Sequence, residues 1–172
     1  MKQVVRSPSR LEGTIVLPGD RSIAHRALLL NSIANGAATV TNYATGADGV
    51  SMVRCLRALG ASIKRLHPDD RSLPADSFLV GGRGPHGLAE PPTVLNAGNS
   101  ASTMRQVAGL LAAQPFFGVI SGDRSLRSRP VSRVVQPLTQ MGAQIVGRGQ
   151  SSLAPLAIRG GGLGGIDYTL PV

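Results

Sequence analysis

Apolar residues recur at helical spacing in three stretches of the chain, and each stretch follows a glycine and a few small polar residues. After Gly19-Asp20-Arg21-Ser22 come Ile23, Ala27, Leu28, Leu30 and Ala34, and Asn35-Gly36 supplies a stop. After Gly98-Asn99-Ser100-Ala101-Ser102 come Met104, Val107, Ala108, Leu111 and Ala112, ended by Gln114-Pro115. After Gly122-Asp123-Arg124-Ser125 the stripe is Val131, Val134, Val135, Leu138 and Met141 before Gly142. There Pro130 is placed as the first helical residue, a position whose N–H would have no partner anyway. A further helix-like run covers residues 50–59, and Cys55 within it reads as a small buried hydrophobe. Between these stretches lie short β-like runs at 13–17, 38–42, 77–80, 118–121, 144–146 and 156–159.

The order of elements is that of an α/β protein, and it occurs twice. Arg26-Ala27-Leu28-Leu29-Leu30 aligns with Arg105-Gln106-Val107-Ala108-Gly109. Leu56-Arg57-Ala58-Leu59-Gly60-Ala61-Ser62-Ile63 aligns with Leu138-Thr139-Gln140-Met141-Gly142-Ala143-Gln144-Ile145 at nearly the same offset, about 80 residues. The pattern predicts an internal duplication with units at about 18–95 and 96–160, and a glycine-rich stretch from 161 that opens something further.

At 172 residues and 42% hydrophobic content the chain can bury a core of its own. No apolar run is long enough to cross a bilayer, and the opening residues do not read as a secretory signal, so a cytoplasmic location is expected. The single Cys55 cannot form an internal disulfide. The charge changes the picture more. The net +9 is carried almost wholly by arginine, with only Lys2 and Lys64 as lysines, and guanidinium forks suit phosphate and carboxylate groups. Nucleic acid is disfavoured as the partner: aromatic residues make up 3% of the chain, Trp is absent, and no DNA- or RNA-binding motif is visible.

Helix amino termini expose unpaired N–H groups and partial positive charge, so the three glycine-led starts are candidate anion sites. Ser22 and Arg26, and likewise Ser102 and Arg105, fall on one helical face. Ser22 and Ser102 are equally well read as ordinary caps. The run Arg124, Arg127, Arg129, Arg133 is dense enough to need counter-charge, from a bound anion or from acidic side chains elsewhere. Asp20, Asp48 and Asp123 read as helix caps. His25, His67 and His86 lack metal-ligand spacing, and the glycine runs at 82–87 and 160–165 do not open a helix after a strand, so neither a metal nor a dinucleotide is implied.

Three segments go further. The segment from Leu17 to Leu30, Leu17-Pro18-Gly19-Asp20-Arg21-Ser22-Ile23-Ala24-His25-Arg26-Ala27-Leu28-Leu29-Leu30, resembles the opening motif of the 5-enolpyruvylshikimate-3-phosphate synthases, with Arg21 where the family has lysine. Gly98-Asn99-Ser100-Ala101-Ser102-Thr103-Met104-Arg105 is similar to a second family motif, with Ala101 in place of glycine. Gly122-Asp123-Arg124-Ser125-Leu126-Arg127-Ser128-Arg129-Pro130 resembles a third, and all three stand in the family's order.

The resemblance implies transfer of the enolpyruvyl group of phosphoenolpyruvate to the 5-hydroxyl of shikimate 3-phosphate with release of inorganic phosphate, a step towards aromatic amino acids. It implies that Ser22 and Arg26 hold shikimate 3-phosphate, that Arg21 touches both substrates as the catalytic residue of this region, and that Asn99, Ala101 and Arg129 line the phosphoenolpyruvate side. No cofactor, metal, membrane or nucleic acid is called for, and a monomer is implied at full length. The fold implied is the enolpyruvyl transferase one, an inside-out α/β barrel of two lobes, each of three βαβαββ units. Two units of the first lobe would be present in 18–172, with the start of a third at 161–172, while residues 1–17 would form a strand of the other lobe. The family's substrate motif of the serine-x-glutamine type, and the second lobe with its acidic and lysine catalytic groups, would follow Val172. Two alternatives stay open: the sister enzyme acting on UDP-N-acetylglucosamine, whose opening motif has lysine-asparagine at Arg21-Ser22, and a non-catalytic module that binds anions or nucleic acid. The reading requires Arg21, Arg26, Arg105 and Arg129 to converge on a shared hollow.

Overall fold

The computed structural model describes residues 4, 10, 12–15, 17–44, 46–66 and 76–170. Helix α1 (Arg21–Ser32) starts where the Asp20 carboxylate accepts the Ile23 N–H at 2.7 Å, and it buries Ala24, His25, Leu28 and Ser32. Helix α2 (Ala47–Ala58) buries Met52, Val53, Cys55 and Leu56. Helix α3 (Ala101–Ala112) is capped by the Ser100 hydroxyl, which accepts the Thr103 N–H at 3.2 Å. Seven of its residues are buried: Thr103, Met104, Val107, Ala108, Leu110, Leu111 and Ala112. A helix apolar on so much of its circumference belongs inside the molecule, and α3 packs against α1, α2 and α4 (Ser132–Gln140).

The strands form two sheets. In the first, β1 (Ala37–Val40), β2 (Ser62–Arg65) and β3 (Phe78–Gly81) are ordered β1-β3-β2, with β3 antiparallel to both neighbours. In the second, β4 (Leu95–Asn96), β5 (Phe117–Ser121), β6 (Gln144–Gly147) and β7 (Leu153–Arg159) are ordered β4-β5-β7-β6. The β5-β7-β6 part is antiparallel and repeats the first sheet strand for strand, while β4 runs parallel to β5 across the α3 connection. The second unit is thus a complete βαβαββ unit, and α1-β1-α2-β2-β3 matches it from its first helix onward. Gly60 and Gly142 end α2 and α4 at φ of 82° and 111°, the left-handed conformation that stops a helix and turns the chain into β2 and β6. The inward residues of both sheets, Val80 and Phe78, Leu156 and Ile158, join the helices in one core cluster.

The sequence reading and the structure part company at four places. Residues 13–15 and 17 form no strand, and Ile15 and Leu17 are exposed: their alternation has no neighbouring strand to pair with among the described residues, and Val16 lies outside those. Two short strands, β2 and β4, are not signalled by pattern, because β2 carries the single apolar residue Ile63 and β4 has two residues, so neither shows an alternation. The third glycine-led start opens a single 3-10 turn, Leu126–Ser128, and not the helix. Helix α4 begins at Ser132 instead of Pro130, since Val131 keeps φ −120° while its N–H donates to the Ser152 carbonyl at 2.8 Å.

One buried group carries a pH signature. His25 is fully buried at 0% exposure, and neither ring nitrogen has a side-chain hydrogen-bond partner among the described residues, the polar group against it being the Asp48 backbone. Burial lowers its pKa from the ordinary 6.5, opposed by the nearby Asp48 charge and reinforced by Arg21. The folded protein holds the ring neutral while the unfolded chain protonates it first, so stability is fully present above about pH 6.5 and declines as pH falls below it. His25→Leu is expected to flatten that decline, read as urea midpoints at a series of pH values from about 8 to 5; an unchanged profile refutes the assignment.

Candidate anion-binding site

Three helices begin at the same end of the molecule, and hydrogen bonds join their starts there. Asp48, in the first turn of α2, accepts a hydrogen bond from Arg21 Nη1 at 2.7 Å, which ties the start of α1 to the start of α2. The carbonyl of the same Asp48 accepts from Thr103 Oγ1 at 3.3 Å, which ties in the start of α3. The loop entering α3 lies along α2. Gly98 has φ 58°, and a Cβ there would stand 2.9 Å from Ser51 Oγ, so glycine serves both the turn and the close approach. Gly122 is equally constrained, since a Cβ would come within 2.4 Å of the Gly98 carbonyl.

That approach places the third motif beside the second. The Asp123 N–H donates to the Gly98 carbonyl at 2.8 Å. The Asp123 carboxylate accepts from the Leu126 N–H at 2.7 Å and from Asn99 Nδ2 at 2.6 Å. Arg129 Nη2 in turn donates to Asn99 Oδ1 at 2.7 Å and to Ser125 Oγ at 3.1 Å. Asn99 is therefore held from both sides, with its amide directed to the carboxylate and its carbonyl to the guanidinium. The chain of contacts fixes Arg129 while leaving its remaining N–H groups exposed to solvent.

Of the residues singled out from sequence, Asn99 and Arg129 touch directly, and Arg21 is joined to them only through Asp48, Thr103 and the capped start of α3. Ala101 is the half-buried first residue of α3. Ser22 and Ser102 are not the caps, which are Asp20 and Ser100, and each lies second in its helix. Ser22 and Arg26 are exposed, one turn apart on α1. Arg105 donates to the Pro130 carbonyl at 3.5 Å. The four arginines expected to converge on one hollow do not do so. Arg21 borders one of about 350 Å³ with Ala44 and residues 46–49, and Ser125 borders another of about 600 Å³ with Asp123, Arg124 and Ser128. Arg26, Arg105 and Arg129 line neither. The separation follows from Arg21 being drawn to Asp48 and Arg129 to Asn99.

Sequence reading missed the structural roles of Thr103 and Ser125 and saw Asp48 and Asp123 only as caps. Their partners lie 27 to 55 residues away for Asp48 and 24 residues away for the Asp123–Asn99 pair, distances at which local pattern carries no signal. Among the described residues no group of three or more His, Cys, Asp or Glu side chains could hold a metal ion, and His67 lies outside them. No helix of the described residues is long and apolar enough to cross a membrane.

The Asp123 carboxyl is held below its ordinary 3.8, first by the Leu126 N–H and then by Asn99. A depressed carboxyl contributes stability above its unfolded pKa and loses it as pH falls through the folded value. Asp123→Ala is expected to be less stable than the parent at neutral pH and to lose less on acidification from about pH 4.5 to 2.5. Urea melts across that range check it, and parallel curves for the two proteins would contradict the assignment.

The family described as EPSP synthase (3-phosphoshikimate 1-carboxyvinyltransferase) matches residues 5–172. The chain is 51% identical over 167 residues to the 3-phosphoshikimate 1-carboxyvinyltransferase of Desulforudis audaxviator, covering 96% of this chain and 37% of that protein. It is 49% identical over 172 residues to the protein of the same name from Herpetosiphon aurantiacus, covering 100% of this chain and 38% of the relative. Among solved structures it is similar to an EPSP synthase from Acinetobacter baumannii, with TM-score 0.84 and 38% identity over 92% of this chain and 34% of that one. The chain thus spans little more than a third of the length of these relatives. Matched across nearly all of its residues, in sequence and in the path of its backbone, the chain belongs to the EPSP synthase family.

Proposed function

We propose that this chain supplies the anion-binding part of an enolpyruvyl transferase, the whole protein moving the enolpyruvyl group of phosphoenolpyruvate to the 5-hydroxyl of shikimate 3-phosphate and releasing inorganic phosphate. The observation that carries the reading is the gathering of the α1, α2 and α3 amino termini around Asp48, with the Arg129–Asn99–Asp123 chain of contacts beside them. Aligned helix starts present N–H groups and partial positive charge to one region, which favours phosphate and carboxylate groups. Both substrates are such anions.

In this reading Ser22 and Arg26 hold shikimate 3-phosphate, and Arg21 touches both substrates. Asn99, Ala101 and Arg129 face phosphoenolpyruvate, with Arg129 as its charge clamp. Arg21 keeps the charge of the family's lysine, but a planar fork replaces a compact ammonium and it is engaged by Asp48. The acid and base groups of the transfer come from the part of the family's length that this chain does not span. Residues 1–17 belong with the other lobe, about 18–95 and about 96–160 are the two repeat units, and 161–172 begins a third. A cytoplasmic, monomeric protein acting on small molecules and not on nucleic acid completes the reading. The relatives named above carry the shikimate name, which favours this substrate over UDP-N-acetylglucosamine.

Calorimetric titration tests it. The 172-residue chain is expected to bind shikimate 3-phosphate saturably, and Arg26→Gln to weaken that binding about tenfold or more, since a charge-assisted contact to the anionic substrate is lost. Steeply salt-dependent affinity for nucleic acid without binding of shikimate 3-phosphate would sink the proposal. Separately, the purified chain is expected to form no 5-enolpyruvylshikimate 3-phosphate, assayed by phosphate release; robust product would refute the assignment of acid–base chemistry to the remainder.

A further inference from the structure

Among the described residues the arginine run after Gly122 does not find its counter-charge. Arg129 has Asn99 and Ser125, but the Arg124, Arg127 and Arg133 side chains have no hydrogen-bonded or ionic partner among the described residues. Two of them, Arg124 and Arg127, border a hollow of about 500 Å³ together with Ser128, Arg148 and Leu153. Arg148 comes from a different element, the tip of the β6–β7 hairpin, where Arg148–Ser151 makes a short turn with Gly149 and Gln150 at positive φ. Its Nη1 donates to the Ala154 carbonyl at 3.3 Å, which anchors one edge of the guanidinium and leaves the other edge available. The turn carrying Arg124 and Arg127 packs against β7, so the approach of the cations is set by the fold and not by floppy side chains alone.

Three guanidinium groups around one hollow repel one another, and no carboxylate lines it. An oxyanion removes that cost and accepts the free N–H groups in the geometry arginine forks favour. We propose that Arg124, Arg127 and Arg148 form a second anion site, for a phosphate group, distinct from the Arg129–Asn99 arrangement. The two adjoin, since Arg124 and Ser128 also border the hollow at Asp123 and Ser125. The site does not depend on the transfer reaction proposed above.

Amide chemical shifts of Gly149 and Leu153, followed by nuclear magnetic resonance, read the site directly. The 172-residue chain is titrated with inorganic phosphate and, in a second arm, with phosphoenolpyruvate, each against sodium chloride at matched ionic strength. Saturable shifts are expected with phosphate and none with chloride. Arg127→Gln/Arg148→Gln is expected to weaken the phosphate response about tenfold or more, whereas Arg83→Gln, at an exposed arginine that borders neither hollow, leaves it unchanged. Both arginines of the double variant are exposed, so its urea midpoint is expected to match the parent's, which shows that lost binding is not lost folding. Saturation by the ester alone, read at Gly149 and Leu153 and lost in Arg127→Gln/Arg148→Gln, identifies the source as a phosphomonoester and supports the site. Shifts that never saturate, chloride matching phosphate, or a double variant that titrates like the parent would overturn it, as would steeply salt-dependent binding of single-stranded DNA at these residues without a phosphate response. A failure at Arg127 and Arg148 with shikimate 3-phosphate binding intact removes this site only; the reverse removes the proposed substrate reading only.

Discussion

Asp48 is the residue at which three helices meet. Its side chain holds Arg21 of α1, its carbonyl holds Thr103 of α3, and its own position is the first turn of α2. Each helix brings unpaired N–H groups and the positive end of its dipole to this end of the molecule. Such ends repel one another when they lie side by side. Asp48 places a negative charge at the junction and so makes the arrangement tolerable, while the surrounding arginines keep the region strongly attractive to anions. The rest of the site inherits its geometry from this junction, because the loop that carries Gly98 and Asn99 is seated on α2 through Ser51 and Cys55.

Duplication explains how one chain produces this convergence. In each unit an antiparallel three-stranded arrangement, β1-β3-β2 or β5-β7-β6, carries helices on its inner face, and the same connection order sends the helices of both units in along comparable paths. The apolar surface that binds the units is largely α3 and its neighbours. Met104, Val107 and Leu111 are wholly buried, and they meet Leu28, Met52 and Leu56 from the first unit in one core. Burial of such side chains is worth about 1.5–3 kcal/mol each, so the core holds the polar end in place and not the reverse.

The excess of arginine divides into groups with different circumstances. Arg21 and Arg129 are held by partners within the fold, and a held guanidinium costs less to organise around a ligand. Arg57 is used structurally, donating through Nε and Nη2 to the Ile63 carbonyl at 2.9 and 2.7 Å. Arg124 and Arg127 are exposed and unpartnered among the described residues, and they face Arg148 across a hollow. The same residue type therefore serves the frame, the site and an adjoining surface, and only the partners distinguish them.

Read alone, the chain determined its α/β class, its twofold repetition, and the helices α1, α2 and α3 to within a few residues, because these depend on local periodicity and on glycine and capping residues a few positions away. The three glycine-led motifs and the arginine run were likewise legible, and with them the family resemblance. Tertiary structure decided what sequence could not. It made Asp48 and Asp123 partners of Arg21 and Asn99 as well as helix-start residues, turned the third start into a 3-10 turn, and moved the start of α4 to Ser132 by tying Val131 to Ser152. It also kept the four arginines from one hollow and brought Arg148 to Arg124 and Arg127. Apart from the 3-10 turn, whose hydrogen bonds are local, each of these rests on groups some 20 or more residues apart meeting after the core has closed, and a periodicity read along the chain holds no information about which distant polar groups will then find one another.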